Sequence, residues 1–331
     1  MKKMVLFLMV TVLVVGLALP SFAKDEKLPK MISFASKPLG VYYVMTAGLA
    51  RLIEKKTGIK VTVETASTQY AYMPFFERKE TVLAVLASIY VYQAYHGLDK
   101  FGKQGKTPLA YLVTGHVQPF MLWTRPDTGI KKVKDMAGKT VTTKNPASIL
   151  FEDFVRNSLE AGGVWDKVKH VTRPASNSET CQMLIEKKFD VISMPLNPQL
   201  LEVEKAVGLV PIGPGEEAIN KLTKSPYWAQ FTLPTGKFGV KEPIKTTAFV
   251  TCIFTYKDLP DNLAYLIVKT AFENLDELKG VHRYYKQWAL KTAVENIPIP
   301  MHPGAIKYYK EKGVWTEKQE AVQKKLLAAG Q

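Results

Sequence analysis

Residues 31–56 combine a short apolar strand, a turn with one proline and one glycine, and an amphipathic helix. Apolar residues recur at helical spacing after the turn, and charged residues occupy the other faces. A strand that leads through a turn into a helix is the repeating unit of an open α/β sheet. Ligands of such sheets lie outside the carboxyl ends of the strands, where helix N-termini offer unpaired amides to anionic groups. The turn at residues 36–43 is therefore expected to form half of a small-molecule cleft.

The same alternation of strands and helices continues along the chain. Strands are predicted at residues 59–63, 81–88, 109–113, 121–125, 139–143, 167–171, 190–193 and 246–256. Helices are predicted at residues 149–160, 178–187, 260–278, 282–293, 305–312 and 316–327. Short connections between alternating elements indicate an α/β protein with mainly parallel sheet and helices on both faces. The β-rich stretch 246–256 is long for a strand and suited to bridge two domains.

The N-terminus has the pattern of a secretory signal. Two lysines precede an apolar run over residues 4–19, and the small residues Ser21 and Ala23 stand three and one positions before the expected cut between residues 23 and 24. We expect this segment to be cleaved and the mature protein to be periplasmic. The alternative is that the segment stays attached as an uncleaved membrane anchor. About 308 residues then remain, enough for two domains. No later segment is apolar for long enough to cross a bilayer.

The formal charge of +15 raises the question of an anionic partner. The lysines are scattered, however, and the chain contains no arginine-rich block and no nucleic-acid-binding motif. We therefore expect no nucleic acid partner. The positive charge is interpreted as a solvated surface that can also steer an anionic solute towards the protein.

The sequence offers little for metal or redox chemistry. Cys181 and Cys252 lie far apart in apolar surroundings, which favours two buried thiols, although an exported protein can also form a disulfide. The two cysteines and five dispersed histidines supply no close-spaced metal motif, so we expect no metal and no cofactor.

No catalytic residues are predicted. The chain has no G-x-S-x-G elbow, no H-E-x-x-H helix and no complete phosphate-binding glycine loop. Acidic pairs at helix starts are typical dipole partners rather than catalysts. Catalytic groups converge in space rather than in sequence, so the absence of a motif does not exclude an enzyme. The pattern nevertheless favours a binding protein.

Polar loops follow the strands in both halves of the chain. They occupy residues 36–43, 65–70, 88–90, 145–148 and 193–197. Each exposes hydroxyls, amides or tyrosine rings near a helix N-terminus, although such residues also serve as caps and turn formers. Their presence in two α/β units predicts a cleft between two lobes.

The chain resembles the solute-binding subunits of tripartite ATP-independent periplasmic (TRAP) transporters, of the TAXI type (TRAP-associated extracytoplasmic immunogenic). The resemblance is carried by GVYY at residues 40–43, by TGIK at 128–131 with GKTV at 138–141, by DLPD at 258–261 with FENL at 272–275, and by PIPMHPGA at 298–305. These segments span most of the mature chain and keep the family's order.

The resemblance implies a type II-like periplasmic binding protein, in which two α/β lobes are joined by two crossing segments. Residues 24–118 and 255–331 would form lobe I, and residues 119–254 would form lobe II. It also implies a small carboxylate-bearing solute, such as an amino acid or organic acid, delivered to a TRAP membrane permease. The chain lacks most glycines of the family's binding loops, so a remodelled pocket is expected and the family's glutamate-like ligands do not carry over.

We expect a monomer that closes around a small anionic organic solute. The candidate ligand-binding residues are Lys37, Tyr42, Tyr43, Ser67, Thr68, Ser88, Asn145, Ser148 and Asn197. The tyrosine pair would form one wall, the serines and threonine of lobe I would donate hydrogen bonds, and the last three would approach from lobe II. The lysine would pair with the charge of the solute. Two other readings remain open: a periplasmic sensor that docks on a signalling protein, and an enzyme on the same scaffold.

Overall fold

A computed structural model describes residues 27–38, 40–145, 148–174 and 176–330. The predicted signal peptide, residues 1–23, lies outside the described residues.

The described strands form one ten-stranded sheet in the order β2-β1-β3-β10-β4-β7-β5-β6, with β8 paired to β4 and β9 paired to β10. The strands are β1 (Met31–Ser36), β2 (Lys60–Thr65), β3 (Leu83–Ala87), β4 (Leu109–Thr124), β5 (Thr140–Lys144), β6 (Lys169–Thr172), β7 (Val191–Pro195), β8 (Val210–Ile212), β9 (Trp228–Leu233) and β10 (Ile244–Tyr256).

Helices connect the strands and cover the sheet. They are α1 (Val41–Thr57), α2 (Met73–Glu77), α3 (Ser88–His96), α4 (Ile149–Ala161), α5 (Asn177–Ile185), α6 (Gln199–Val207), α7 (Glu216–Leu222), α8 (Asp261–Glu273), α9 (Leu275–Val281), α10 (Pro303–Glu311) and α11 (Glu317–Gly330). Short 3₁₀ turns, such as those at Gln69–Tyr72 and Arg283–Gln287, lie between them.

The strands at the two sides of the sheet pair in parallel. β1 pairs in parallel with β2 and β3, and β5 pairs in parallel with β6 and β7. Every antiparallel pair includes β4 or β10. The predicted α/β class is therefore confirmed. In such a sheet a ligand site is expected just outside the carboxyl ends of the parallel strands.

Two long strands cross the centre of the molecule. β4 and β10 run antiparallel from the pair Phe120 and Thr247 to the pair Leu109 and Tyr256. The register shifts twice on β10, between Val250 and Cys252 and between Ile253 and Phe254. The sequence predicts separate strands at residues 109–113 and 121–125, but the structure has one continuous, almost wholly buried strand. The lobe boundaries at residues 118 and 255 stay a prediction.

Two helical predictions were wrong. The helix predicted over residues 260–278 is divided at Asn274, which has φ −124° and ψ 30°. The side-chain amide of Asn274 donates to the carbonyl of Thr270 at 2.9 Å, and such local bonding competes with helix continuation. The helix predicted over residues 282–293 contains only 3₁₀ turns; there Tyr285 is buried and its hydroxyl donates to the carbonyl of Met45.

The buried side chains form two clusters. The larger one extends across both faces of the sheet, and the smaller one, around Met121, Trp123 and Leu200, packs beside β7. Cys181 and Cys252 are free, buried thiols, which confirms the interpretation favoured from the sequence. Burial raises the pKa of the Cys181 thiol to about 11, so it stays protonated at neutral pH.

Candidate functional site

A cleft of about 860 Å³ lies where the carboxyl ends of strands from both halves of the sheet converge. Its volume is within the range of small-molecule sites. The described residues that line it are Lys37, Gly40, Val41, Tyr42, Gln69, Ala87, Tyr90, Gln118, Asn145, Ser148, Leu150, Phe151, Arg173, Ser176, Asn177, Ser178, Pro195, Gln199 and Phe249. This cleft is the candidate binding site.

One wall comes from the strand-turn-helix unit formed by β1 and α1. Lys37 follows β1, and Tyr42 lies in the first turn of α1. Gly40 precedes α1 with φ +90°, a conformation that favours glycine, and it provides no side-chain cap. The first amides of α1 therefore lack a side-chain acceptor from the cap position.

The same wall continues through α3, which follows β3 directly. Tyr90 of α3 is 3% exposed and packs edge-to-face against Tyr70, with ring centres 5.5 Å apart. Its hydroxyl lies 2.6 Å from the Ser148 hydroxyl on the opposite wall. Burial raises the pKa of Tyr90 and the bond to Ser148 opposes that shift, so the phenol is neutral and available for hydrogen bonding. This hydrogen bond spans the cleft.

The opposite wall includes the start of α4. Asn145 follows β5, and its backbone amide donates to Glu152 Oε1 at 2.7 Å. Ser148 precedes α4 without capping it, so its hydroxyl is directed to Tyr90 instead. Phe151 supplies an apolar face to the same wall.

Arg173 is the most unusual residue of the cleft. It lies between β6 and α5 and is only 5% exposed. Its Nη2 donates to Asn177 Oδ1 at 2.8 Å and to Thr180 Oγ1 at 3.2 Å, and its guanidinium carbon stands 4.1 Å from the centre of the Phe151 ring. Burial lowers the pKa of Arg173 to about 10, which leaves it charged at neutral pH.

The positive charge of Arg173 is not neutralised within the described part of the chain. The arginines that form ion pairs among the described residues are Arg78, Arg125 and Arg156, and Arg173 is not one of them. The Nε atom of Arg173 is buried and has no hydrogen-bond partner among the described residues. A buried charge and an unmatched donor both cost free energy, so an anion in the cleft would stabilise this side chain.

The two crossing strands form the floor of the cleft through Gln118 of β4 and Phe249 of β10. The side-chain amide of Gln118 lies 3.0 Å from Nε2 of the fully buried His116. Nδ1 of His116 lies 3.0 Å from the Thr251 hydroxyl, and its ring stacks on Tyr284. Burial, helped by nearby His282, lowers the pKa of His116 to about 3, so it is neutral at pH 7.

The structure brings four of the nine predicted residues to the cleft: Lys37, Tyr42, Asn145 and Ser148. The other five do not line it. Tyr43 is 37% exposed on α1, and Ser67 is exposed. Thr68 caps the turn Gln69–Tyr72 by accepting from the Ala71 amide. That any of the nine binds a solute stays a prediction.

The remaining two predicted residues are buried behind the cleft wall. Ser88 is fully buried at the start of α3, and its hydroxyl has no hydrogen-bond partner in the described part of the chain. Asn197 donates to the Pro195 carbonyl and accepts from the Gln199 amide, so it shapes the turn before α6.

Sequence reasoning missed Arg173 and the polar run Ser176, Asn177 and Ser178. A signal was present, because residues 172–178 follow a predicted strand and precede a predicted helix like the five loops that were chosen. What the sequence does not show is the burial of the guanidinium.

Within the described residues, no group of three or more His, Cys, Asp or Glu side chains could hold a metal ion. No described helix is both long and apolar enough to cross a membrane.

Comparison with solved structures defines the class of the fold. A putative sulfonate ABC transporter protein, the periplasmic sulfonate-binding protein SsuA from Methylobacillus flagellatus, matches with a TM-score of 0.53 at 13% identity, over 88% of this chain and 87% of that one. XAC2383 from Xanthomonas citri, solved with bound chloride, matches with a TM-score of 0.52 at 8% identity, over 88% and 99%. The chain thus has the fold of two-lobe periplasmic binding proteins.

The sequence itself matches a family model over residues 35–313, which is most of the chain. The protein belongs to the NMT1-like family. The TAXI subtype expected from the motifs is a narrower assignment than this match provides.

Proposed function

We propose that this protein is a periplasmic solute receptor that binds a small organic anion in the cleft and delivers it to a membrane permease of the TRAP type. The observation that carries the proposal is Arg173, a buried guanidinium on the cleft wall without a described anionic partner. A carboxylate or sulfonate would accept charge-assisted hydrogen bonds from it.

Capture would occur by closure of two lobes. Residues 24–118 and 255–331 would form one lobe, residues 119–254 the other, and β4 with β10 would act as the hinge. The solute contacts both walls only in the closed form, so its binding would shift the equilibrium towards closure. The fold shared with periplasmic binding proteins supports this mode of action, and the TRAP-type motifs support the choice of permease.

Binding is tested with the purified protein by thermal shift and calorimetry against a panel of monocarboxylates, dicarboxylates, sulfonates, neutral sugars and amines. We expect at least one anion to raise the melting temperature, because a ligand of the folded state stabilises it. Arg173→Gln should weaken that binding by roughly 10- to 150-fold, since a hydrogen bond to a charged group contributes about 1.5–3 kcal/mol.

Arg51→Gln is the matched control, because Arg51 is exposed on α1 away from the cleft. Arg173→Lys retains the charge and should bind with intermediate affinity, which separates loss of the anion contact from misfolding. Recovery of the solute chemically unchanged would support a receptor over an enzyme. Stabilisation by neutral or cationic compounds alone, or equal anion affinity in Arg173→Gln, would refute the proposal.

Delivery is tested by reconstituting the receptor in liposomes with a TRAP-type permease and, separately, with an ABC-type permease. Uptake of the anion that depends on the receptor supports the assignment. Uptake through an ABC-type permease instead, or docking on a signalling protein without transport, would refute the TRAP assignment.

A further inference from the structure

The charged side chains that line the described part of the cleft are all positive. Lys37 and Arg173 line it from opposite walls, and no aspartate or glutamate is among the described residues that line it. We propose that the solute carries two anionic groups and no ammonium group, so that the receptor takes an organic dianion rather than an α-amino acid. This inference rests on the proposed function and specifies its substrate class.

The first anionic group would bind Arg173. The side chain is held in place by Asn177, Thr180 and the Phe151 ring, which together occupy one edge and one face of the guanidinium. Its Nε remains buried and unmatched. An oxyanion at that atom would supply the missing acceptor and the missing negative charge in a single contact.

The second anionic group would bind Lys37. This lysine follows β1, near one edge of the sheet, whereas Arg173 follows β6 at the other edge. Lysine ion pairs elsewhere in the described chain all involve other lysines, and none includes Lys37. Partial burial lowers the pKa of Lys37, as expected for a cation that has lost water without gaining a negative neighbour.

An ammonium group would find no carboxylate among the described residues that line the cleft. Glu152 and Asp153 of α4 do not line the cleft: Glu152 accepts from the Asn145 amide at 2.7 Å, and Asp153 accepts from Trp228 at 2.7 Å and from Asn157 at 2.9 Å. Two fixed cations would repel an ammonium group in a partly desolvated site. The amine of an amino acid would therefore lose its hydration without gaining a contact that offsets the loss.

The test compares compounds of equal chain length by calorimetry. Succinate, glutarate and adipate are each measured against the 2-amino counterpart (aspartate, glutamate, 2-aminoadipate) and against the matched monocarboxylate (butyrate, pentanoate, hexanoate). We expect one dicarboxylate to bind best, because the distance between the two cations selects a length. It should bind at least tenfold more tightly than both of its counterparts.

Variants assign the two anchors. Lys37→Gln should weaken the best dicarboxylate at least tenfold and leave the matched monocarboxylate within threefold, because the latter uses only Arg173. Lys60→Gln, an exposed lysine at the start of β2, is the charge-matched control and should leave both unchanged. Unaltered circular dichroism of Lys37→Gln would show that the variant is folded.

The outcomes separate this inference from the proposed function. Equal or tighter binding of an amino acid or monocarboxylate that still depends on Arg173 would overturn the dianion inference and leave the receptor intact. A Lys37→Gln variant that loses the monocarboxylate equally would also overturn it. If no anion binds at all, both fail.

Discussion

At the scale of single residues, His116 gives a prediction for acid stability. Its pKa is lowered to about 3 in the folded protein by burial, whereas the unfolded chain takes up this proton near pH 6.5. Between these values the unfolded state binds more protons, so stability is complete above pH 6.5 and falls as the pH drops towards 3. By pH 5 the cost from His116 is about 2 kcal/mol.

Urea unfolding at pH 7 and pH 5 measures this effect. The loss of unfolding free energy between the two pH values should be about 2 kcal/mol smaller in His116→Asn than in the wild type. The exposed His170 provides the control, and His170→Asn should show the wild-type difference. An unchanged pH dependence in His116→Asn would mean that the buried ring does not cause the loss of stability.

Part of the lining of the cleft could be predicted from the sequence. Lys37, Tyr42, Asn145 and Ser148 were predicted because they follow strands, and the end of a strand is visible in a sequence. Arg173 follows a strand too, but its burial and its missing partner result from packing between α4, α5 and β6. Tertiary environment of this kind leaves no mark in one sequence, so the residue on which the proposed anion site depends was missed.

At the scale of elements, periodicity predicted the α/β class, because both elements bury one side and the buried positions recur with a regular period. Periodicity failed to predict the element boundaries where a specific hydrogen bond or a strand pairing determines the backbone conformation. The bond from Asn274 to Thr270 divides α8 from α9, and continuous pairing with β10 joins two predicted strands into β4. Local sequence patterns do not show which strands pair when the partners are far apart in the sequence.

The crossing of β4 and β10 requires close contact at Gly115. A Cβ at this position would lie 2.8 Å from Thr251 Oγ1 and 3.2 Å from the Thr251 carbonyl oxygen. Thr251 is itself fixed, since its hydroxyl donates to the carbonyl of His116 at 2.7 Å. Gly115→Ala should therefore force the strands apart and lower the unfolding free energy by about 1–3 kcal/mol.

Gly280→Ala is the matched substitution at an uncrowded site. Gly280 lies in α9, and a Cβ at this position would have no neighbouring atom within 4 Å. Alanine there should raise the unfolding free energy by about 0.5–1 kcal/mol, because glycine loses more backbone freedom when a helix forms. Both variants are measured by urea unfolding. Equal effects at the two glycines would show that the crossing tolerates a side chain.

At the scale of the whole molecule, the hydrogen bond between Tyr90 and Ser148 joins walls assigned to different lobes. With the proposed lobe boundaries, a bond between these walls would form only in the closed form of the receptor. Interactions present only in that form add to solute affinity, because they lower the free energy of closure.

Tyr90→Phe and Ser148→Ala should each weaken binding of the best organic anion by roughly 2- to 12-fold, the effect of losing about 0.5–1.5 kcal/mol from one hydrogen bond. The double variant should lose little more than either single variant, because the same bond is removed. Tyr265→Phe, which removes a hydrogen bond to Glu311 outside the cleft, should bind like the wild type. Small-angle scattering should show a smaller radius of gyration with solute than without it. Additive losses in the double variant, or a radius unchanged by a saturating solute, would contradict closure across this bond.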